Sequence, residues 1–498
     1  MTAVGPPQAD DPTEQKKPPQ SAPQANTPDD DTALVSKTGE ITEAILSSLQ
    51  KTHSNLHTLI LINNAGHIEN AFGSVTGDVS TRSHTVEPKD AEHPDANLPV
   101  DQWFQGTHDL LDAAMMAAAA FLPGVPFGAI LAASHRLASF MGRTPEASSN
   151  LFSTGRAARL SRLGAQIRPT PDAGYANISV ERLSFRDTSR LPEARRYLWQ
   201  QATDLRPMLT RWLTELSSSD DEEVAYTVGY AVGDCASVDL SGIFNELMQA
   251  WAFSEQEVSR IAAGQALGAA LSHPGGKELA YARIEQWSDP DSPRACQRAV
   301  ASLCRSSWAI REPGRAMQAL KRLEMTEKVY AGKWVQQAIN TMWATASLFY
   351  DQHPDLAGVI VGKLCEWGTQ ERSSVFYTTP QLHLAFAALS ELSVLREHRD
   401  RTPLLLKMVE ADATTCRAAA GLLATGLTRK FSRQPIRSLL GELIRGYPVE
   451  AKREFEQLLS FIAASGTDDD RARLESYLES WCAELNVQLH LRPNGQHA

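Results

Sequence analysis

The sequence predicts a mainly α chain: a HEAT/armadillo-like α-solenoid, preceded by a winged-helix-like α+β domain and a short N-terminal β-hairpin. Three observations carry this. First, an apolar residue, two variable residues and a tryptophan close a helix at Leu209–Trp212, and the phrase returns at Met248–Trp251, Ile284–Trp287, Leu364–Trp367 and Leu478–Trp481. Leu320–Leu323 and Leu406–Val409 are degenerate copies, so the markers step by 36 to 44 residues, with a final step of 72 spanning two units. A helical texture at that period signals stacked helix pairs. Second, three helical patterns followed by two short strands precede the repeats. Third, at 498 residues the chain is too long for one ordinary compact core.

Composition narrows the function classes. Hydrophobic residues make up 42% and charged residues 21%, as in a globular protein. The formal net charge of −11 argues against a general nucleic-acid binder, which carries a basic surface. The cysteines at 235, 296, 304, 365, 416 and 482 form no CxxC. Most lie in apolar helical stretches and read as small buried hydrophobes in a reducing cytoplasm. The N-terminus lacks the apolar core of a secretory signal, and no run of 18 apolar residues predicts a membrane-spanning helix.

In chain order, residues 1–37 are rich in Pro, Gln, Asp and Thr and nearly free of large apolar groups, which predicts a disordered arm. Residues 38–55 form a short helix capped by Thr38 and carrying Ile41, Ile45, Leu46 and Leu49. Residues 56–86 read as a β-hairpin or β-arch: Leu59–Ile62 is a β-branched run, and Asn63–Gly66 is a turn cluster. An isolated hairpin is marginal in water, so self-association through 56–86 is a candidate role. Residues 87–102 are a polar linker.

Residues 103–190 form the winged-helix-like domain. An alanine-rich helix runs from Asp109 to Leu122, Pro123-Gly124 breaks it, and Pro126 opens a second helix that Gly142 stops. A third helix over Thr154–Ala165 is followed by strands near Gln166–Arg168 and Ile178–Phe185. The solenoid occupies 191–487, about seven or eight helix pairs, and 488–498 is a frayed tail. Pro207 breaks or kinks the helix it lies in. Gly229 and Gly233, within a helix over Val224–Cys235, let a neighbouring helix approach closely.

The helix pair Leu110–Met141, the strand Val180–Asp187, and the segments Arg195–Trp199 and Leu205–Leu213 resemble the C-terminal half of actinobacterial STAND-type signalling proteins. The resemblance covers residues 103–287, and beyond them only repeat texture. It implies a sensor or scaffold half. The ATPase core of that family has no counterpart: no GxxxxGK[ST] occurs anywhere, so no nucleotide-binding residue carries over.

The site expectations follow. Trp212, Trp251, Trp287, Trp367 and Trp481 are the repeat core anchors. Arg156, Arg159 and Arg162 share a helix face suited to DNA contact, weighed against a plain solvated face. Met115, Met116, Phe121, Phe127 and Ile130 make an apolar helical hairpin over 110–141 that suits a membrane-acting effector, weighed against a buried core. His353, His383 and His398 lack metal-ligand spacing, and no GxSxG elbow is present, so no catalytic, metal or cofactor site is expected. The expected function is a non-enzymatic cytoplasmic scaffold or regulatory module that grips a protein partner along the solenoid.

Overall fold

The computed structural model describes residues 110–142, 164–171, 179–185 and, with short gaps, 190–485, plus isolated positions at 100, 104, 157, 160, 161 and 489. The expected arm, the helix 38–55, the hairpin 56–86 and the expected tail (Leu489 apart) lie outside the described residues, as do Arg156, Arg159 and Arg162. The described part is mostly helical, with one small two-stranded sheet.

Helix α1 (Leu110–Phe121) owes its regularity to alanine, the strongest helix former. It ends before Pro123, and Gly124 turns the chain with φ of +78°. Helix α2 (Phe127–Phe140) starts after Pro126, and Gly142 leaves it with φ of +90°. Gly164, at φ +62°, puts Ala165 into strand β1 (Ala165–Pro171) rather than into the third helix expected to reach it. Strand β2 (Ser179–Phe185) pairs antiparallel with β1, from Ala165 opposite Phe185 to Pro171 opposite Ser179. Pro169 is tolerated because both strands are edges. Arg182 of β2 donates to the Gly124 carbonyl and the Glu223 carboxylate, fastening the ribbon to the α1–α2 turn and to the next helices.

Helix α3 (Arg190–Gln200) gives way to a 3₁₀ turn at Thr203–Leu205, and α4 (Arg206–Ser217) restarts with Pro207 in its first turn, where the missing N–H costs nothing. The predicted break thus falls just before the proline. Helix α5 (Glu222–Ile243) is longer than the sequence suggested and kinks at Asp239, which leaves helical geometry. The Asp239 carboxylate accepts from the Gly242 N–H at 2.9 Å, capping the helix that restarts there. A π turn at Phe244–Met248 leads into α6 (Gln249–Ala252).

The remaining helices are α7 (Glu257–Ala270), α8 (Lys277–Trp287), α9 (Arg294–Leu303), α10 (Ser307–Arg311), α11 (Pro313–Thr326), α12 (Ala331–Leu348), α13 (Asp355–Gln370) and α14 (Pro380–Leu395). They are followed by α15 (Leu404–Ala411), α16 (Ala413–Thr428), α17 (Arg433–Gly446), α18 (Lys452–Ser465) and α19 (Asp468–Leu485).

Their principal packing follows chain order. α5 lies on α7, α7 on α9, α9 on α12, α12 on α14, α14 on α16 and α17, and α16 on α18. Chain neighbours pack as well: α4 on α5, α6 on α7, α8 on α9, α11 on α12, α13 on α14 and α15 on α16. Two joints are backbone-to-backbone. A Cβ placed on Gly233 would sit 2.1 Å from the Ala266 carbonyl oxygen, and one on Gly229 2.4 Å from that of Ala262. One on Gly264 would sit 2.6 Å from the Ala299 oxygen. Only glycine permits α5–α7 and α7–α9 to lie this close. The buried apolar core is continuous from Leu111 to Trp481, so α1 and α2 share it with the helices that follow.

Candidate functional site

The five marker tryptophans are all buried, none more than 4% exposed. Trp212 donates its indole N–H to the Ala133 carbonyl at 3.0 Å and meets the Phe121 ring edge-on at 5.8 Å, joining α4 to α1 and α2. Trp251 reaches back to Thr214 of α4, Trp287 packs on Phe244, and Trp367 stands edge-on to His383. Trp481 covers Gly441, where any added side chain would press on the indole. Trp199, Trp308 and Trp343 are buried just as completely, although they lie off the marker register.

Met115, Met116, Phe121 and Ile130 are also buried in this core, and Phe127 packs against it. Their apolar surface is covered by protein. Among the described residues no helix is long and apolar enough to cross a membrane.

Three polar ties run through the packed layers. Arg195 donates to the Ala120 carbonyl at 2.9 Å and, through two nitrogens, to Asp234, whose other oxygen meets His273 at 3.1 Å. Burial by itself would raise the Asp234 carboxyl, but hydrogen bonds and charge from His273 and Arg195 outweigh it and hold the group at about 2. Glu391 accepts from Trp343, Ser347 and the Leu404 N–H, clamping α12, α14 and α15 together. Its burial pushes the carboxyl above the usual range in spite of those donors. His383 lies fully buried between the Gln336 side-chain oxygen at 2.6 Å and Glu324 at 2.7 Å. The Gln336 amide nitrogen donates to the His383 carbonyl, which fixes its oxygen toward the ring. Each ring nitrogen therefore faces an acceptor. These groups are used up in holding helices together.

One polar cluster is not. Tyr226, Arg260, Arg298 and Trp334 occupy the first turns of α5, α7, α9 and α12, the successive helices of one packed layer. Together with Arg305, just past the end of α9, the last three line a shallow open pocket, bordered by Ser302, Gln337 and Glu257. The Arg298 guanidinium lies 3.9 Å from the centre of the Trp334 ring, a stacking that fixes its plane. Arg260 is 4% exposed and donates one nitrogen to the Ser254 carbonyl at 2.7 Å. Burial, and then the neighbouring Arg298 charge, push Arg260 below the usual guanidinium value. Arg305 stands close enough to Tyr226 to oppose the strong upward push that burial gives its hydroxyl.

Among the described residues none of these three arginines has an ion-pair partner, and the Nε of each is sealed from solvent without an acceptor. Three cations are thus held side by side, with the Glu257 carboxylate in the pocket lining and Glu255, outside it, also acting on Arg260. The expected residue list contained none of them. A signal was present: Arg298 follows Arg260 by 38 residues and Trp334 follows Arg298 by 36, within the step of the tryptophan markers. The helices that carry them pack one on the next.

Among the described residues no group of three or more His, Cys, Asp or Glu side chains is placed to hold a metal ion. No protein-family profile and no curated protein matches the chain. Among solved structures, one described as an engineered protein aligns with 78% of this chain and 94% of its own. Its identity is 16% and its TM-score 0.24, too low for the likeness to carry any argument.

Proposed function

We propose that the chain is a non-enzymatic scaffold or regulatory module, built as an α-solenoid of HEAT-like pairs, that binds a protein partner across one layer of its helices. The observation that carries this reading is the column Tyr226–Arg260–Arg298–Trp334. Arg260, Arg298 and Trp334, from three successively packed helices, line an open pocket with Arg305, and Tyr226 continues the column on the helix before them. Aromatic and arginine side chains of this kind are the usual energetic centres of protein interfaces.

On this reading α1, α2 and the β1–β2 ribbon are the remnant of a winged-helix-like unit, and the chain is a sensor half of STAND-type without its motor. A cytoplasmic setting fits its unpaired cysteines. The membrane-effector reading would require Met115, Met116, Phe121 and Ile130 to leave the core they fill, and no observation favours it.

The test compares proteins recovered by the tagged full chain with those recovered by the Arg298→Glu/Arg305→Glu variant, after both are shown to melt alike. A partner lost on charge reversal supports the reading. A partner retained at equal yield places the interface elsewhere and overturns it.

A further inference from the structure

We propose that the pocket between Arg260, Arg298 and Arg305 is a binding site for a phosphate monoester. Charge is the first argument. The pocket lining gathers three guanidinium groups and one carboxylate, a balance of two positive charges that Glu255, acting on Arg260 from outside the lining, lowers only in part. A phosphate monoester carries about −1.5 to −2 at neutral pH and offers three acceptor oxygens. A carboxylate or a phosphodiester brings about one charge, and half of the excess would remain.

The second argument is how few of the arginine donors are spent within the protein. A structural arginine normally spends its donors on carboxylates or carbonyls. Here Arg298 and Arg305 make no hydrogen bond to any described residue, and Arg260 makes one. Arg260 is nevertheless almost wholly buried, and burial with the neighbouring Arg298 charge outweighs what the Ser254 carbonyl, Glu257 and Glu255 return to it. Placing like charges together costs free energy that a bound dianion would offset.

The third argument is preorganisation. Trp334 holds the Arg298 plane, and the Ser254 carbonyl holds one end of Arg260. The arginines stand on α7, near the start of α9 and just past its end, helices locked at the Gly264 joint, so little side-chain entropy remains to be lost on binding. Ser302 at the edge brings a neutral hydroxyl. The inference concerns the chemistry of this pocket and stands apart from which protein, if any, uses the helix layer around it.

The test is calorimetric titration of the full chain with inorganic phosphate and with a phosphoserine peptide, at fixed ionic strength, against sodium chloride and the unphosphorylated peptide. One equivalent of phosphoryl anion is expected to bind. Arg298→Gln and Arg305→Gln are each expected to weaken it about tenfold or more, the worth of one charged hydrogen-bond donor. Arg298→Lys, which keeps the charge and loses the fork, should weaken it by a smaller factor. Lys277→Gln, on α8 and outside the pocket, should leave it unchanged.

Tighter binding of the peptide than of the free anion would make the ligand a phosphorylated protein segment. The reverse order would make it free phosphate. Absence of heat beyond the chloride control with both probes overturns the site, as does binding that survives the Arg298→Gln/Arg305→Gln double substitution. Because the wild-type titration needs no variant, misfolding of a variant does not remove the test.

Discussion

Replacing Gly233 by alanine probes the closest joint in the chain. In a helix interior the change is ordinarily favourable by about 1 kcal/mol, since alanine is the best helix former and glycine one of the worst. Here the added methyl group would sit 2.1 Å from the Ala266 carbonyl oxygen and 2.7 Å from the Ala269 methyl. The main obstacle is backbone, so no side-chain rotation relieves it. Helices α5 and α7 must part by roughly 1 Å to restore ordinary contact, a gap that forfeits a quarter to a half of each affected dispersion contact. Val228, Val232 and Ala262 lie along the same buried seam and would feel it. Overpacking of this kind costs about 1–3 kcal/mol, and a backbone clash belongs at the upper end. Set against the propensity gain, Gly233→Ala should destabilise by about 2 kcal/mol. Gly421 in α16 is the matched control, because a methyl group there meets nothing within 4 Å. Gly421→Ala should stabilise by about 0.5–1 kcal/mol. The assay is urea unfolding followed by circular dichroism. Equal shifts for the two variants, or a Gly233→Ala protein at least as stable as the parent, would refute the reasoning.

Further expectations concern the buried polar groups. Arg195→Ala leaves Asp234 charged without its main partner and the Ala120 carbonyl without a donor, which should cost about 3–5 kcal/mol in thermal or chemical unfolding. The Asp234 carboxyl is held at about 2, below its ordinary 3.8. Its stabilising contribution is therefore complete above about 3.8 and is lost as pH falls through about 2. Stability measured from pH 5 downward should fall less steeply in Asp234→Asn than in the parent. Burial pushes the thiols of Cys235 and Cys416 up to about 12, and that of Cys304 higher still. A thiol reagent should leave these three untouched in the native protein and label the half-buried Cys482 first, as peptide mapping would report.

Much of the fold was legible because its signals are local. Pro123-Gly124 and Gly142 end helices where positive φ is required, and Pro207 marks a restart. Gly229 and Gly233 announced a close helix approach that the Ala262 and Ala266 carbonyls complete. The tryptophan markers fall on buried positions because each sits on the apolar face of its helix and has a large apolar surface to remove from water.

What was missed depends on partners distant in sequence. Asp239 kinks α5 because Trp199 and Arg206 both donate to it, from helices some 33–40 residues away. Glu391 and His383 read as ordinary helix residues until α12 supplies Trp343, Ser347 and Gln336. The arginine pocket escaped for a related reason. Its members recur at the spacing of the tryptophan markers, but charged residues at that spacing carry no burial signal until their helices are seen packed together.

Hydrogen exchange of the intact protein, with and without Gly229→Leu, tests the central claim most directly. If the helices hold one another as neighbours in a stack, wedging the α5–α7 joint loosens α4, α5, α7 and α9 and leaves amide protection in α16, α17 and α18 at its parental level. A uniform rise in exchange from α1 to α19 would contradict the account, because it would mean that the chain opens as a single cooperative globule.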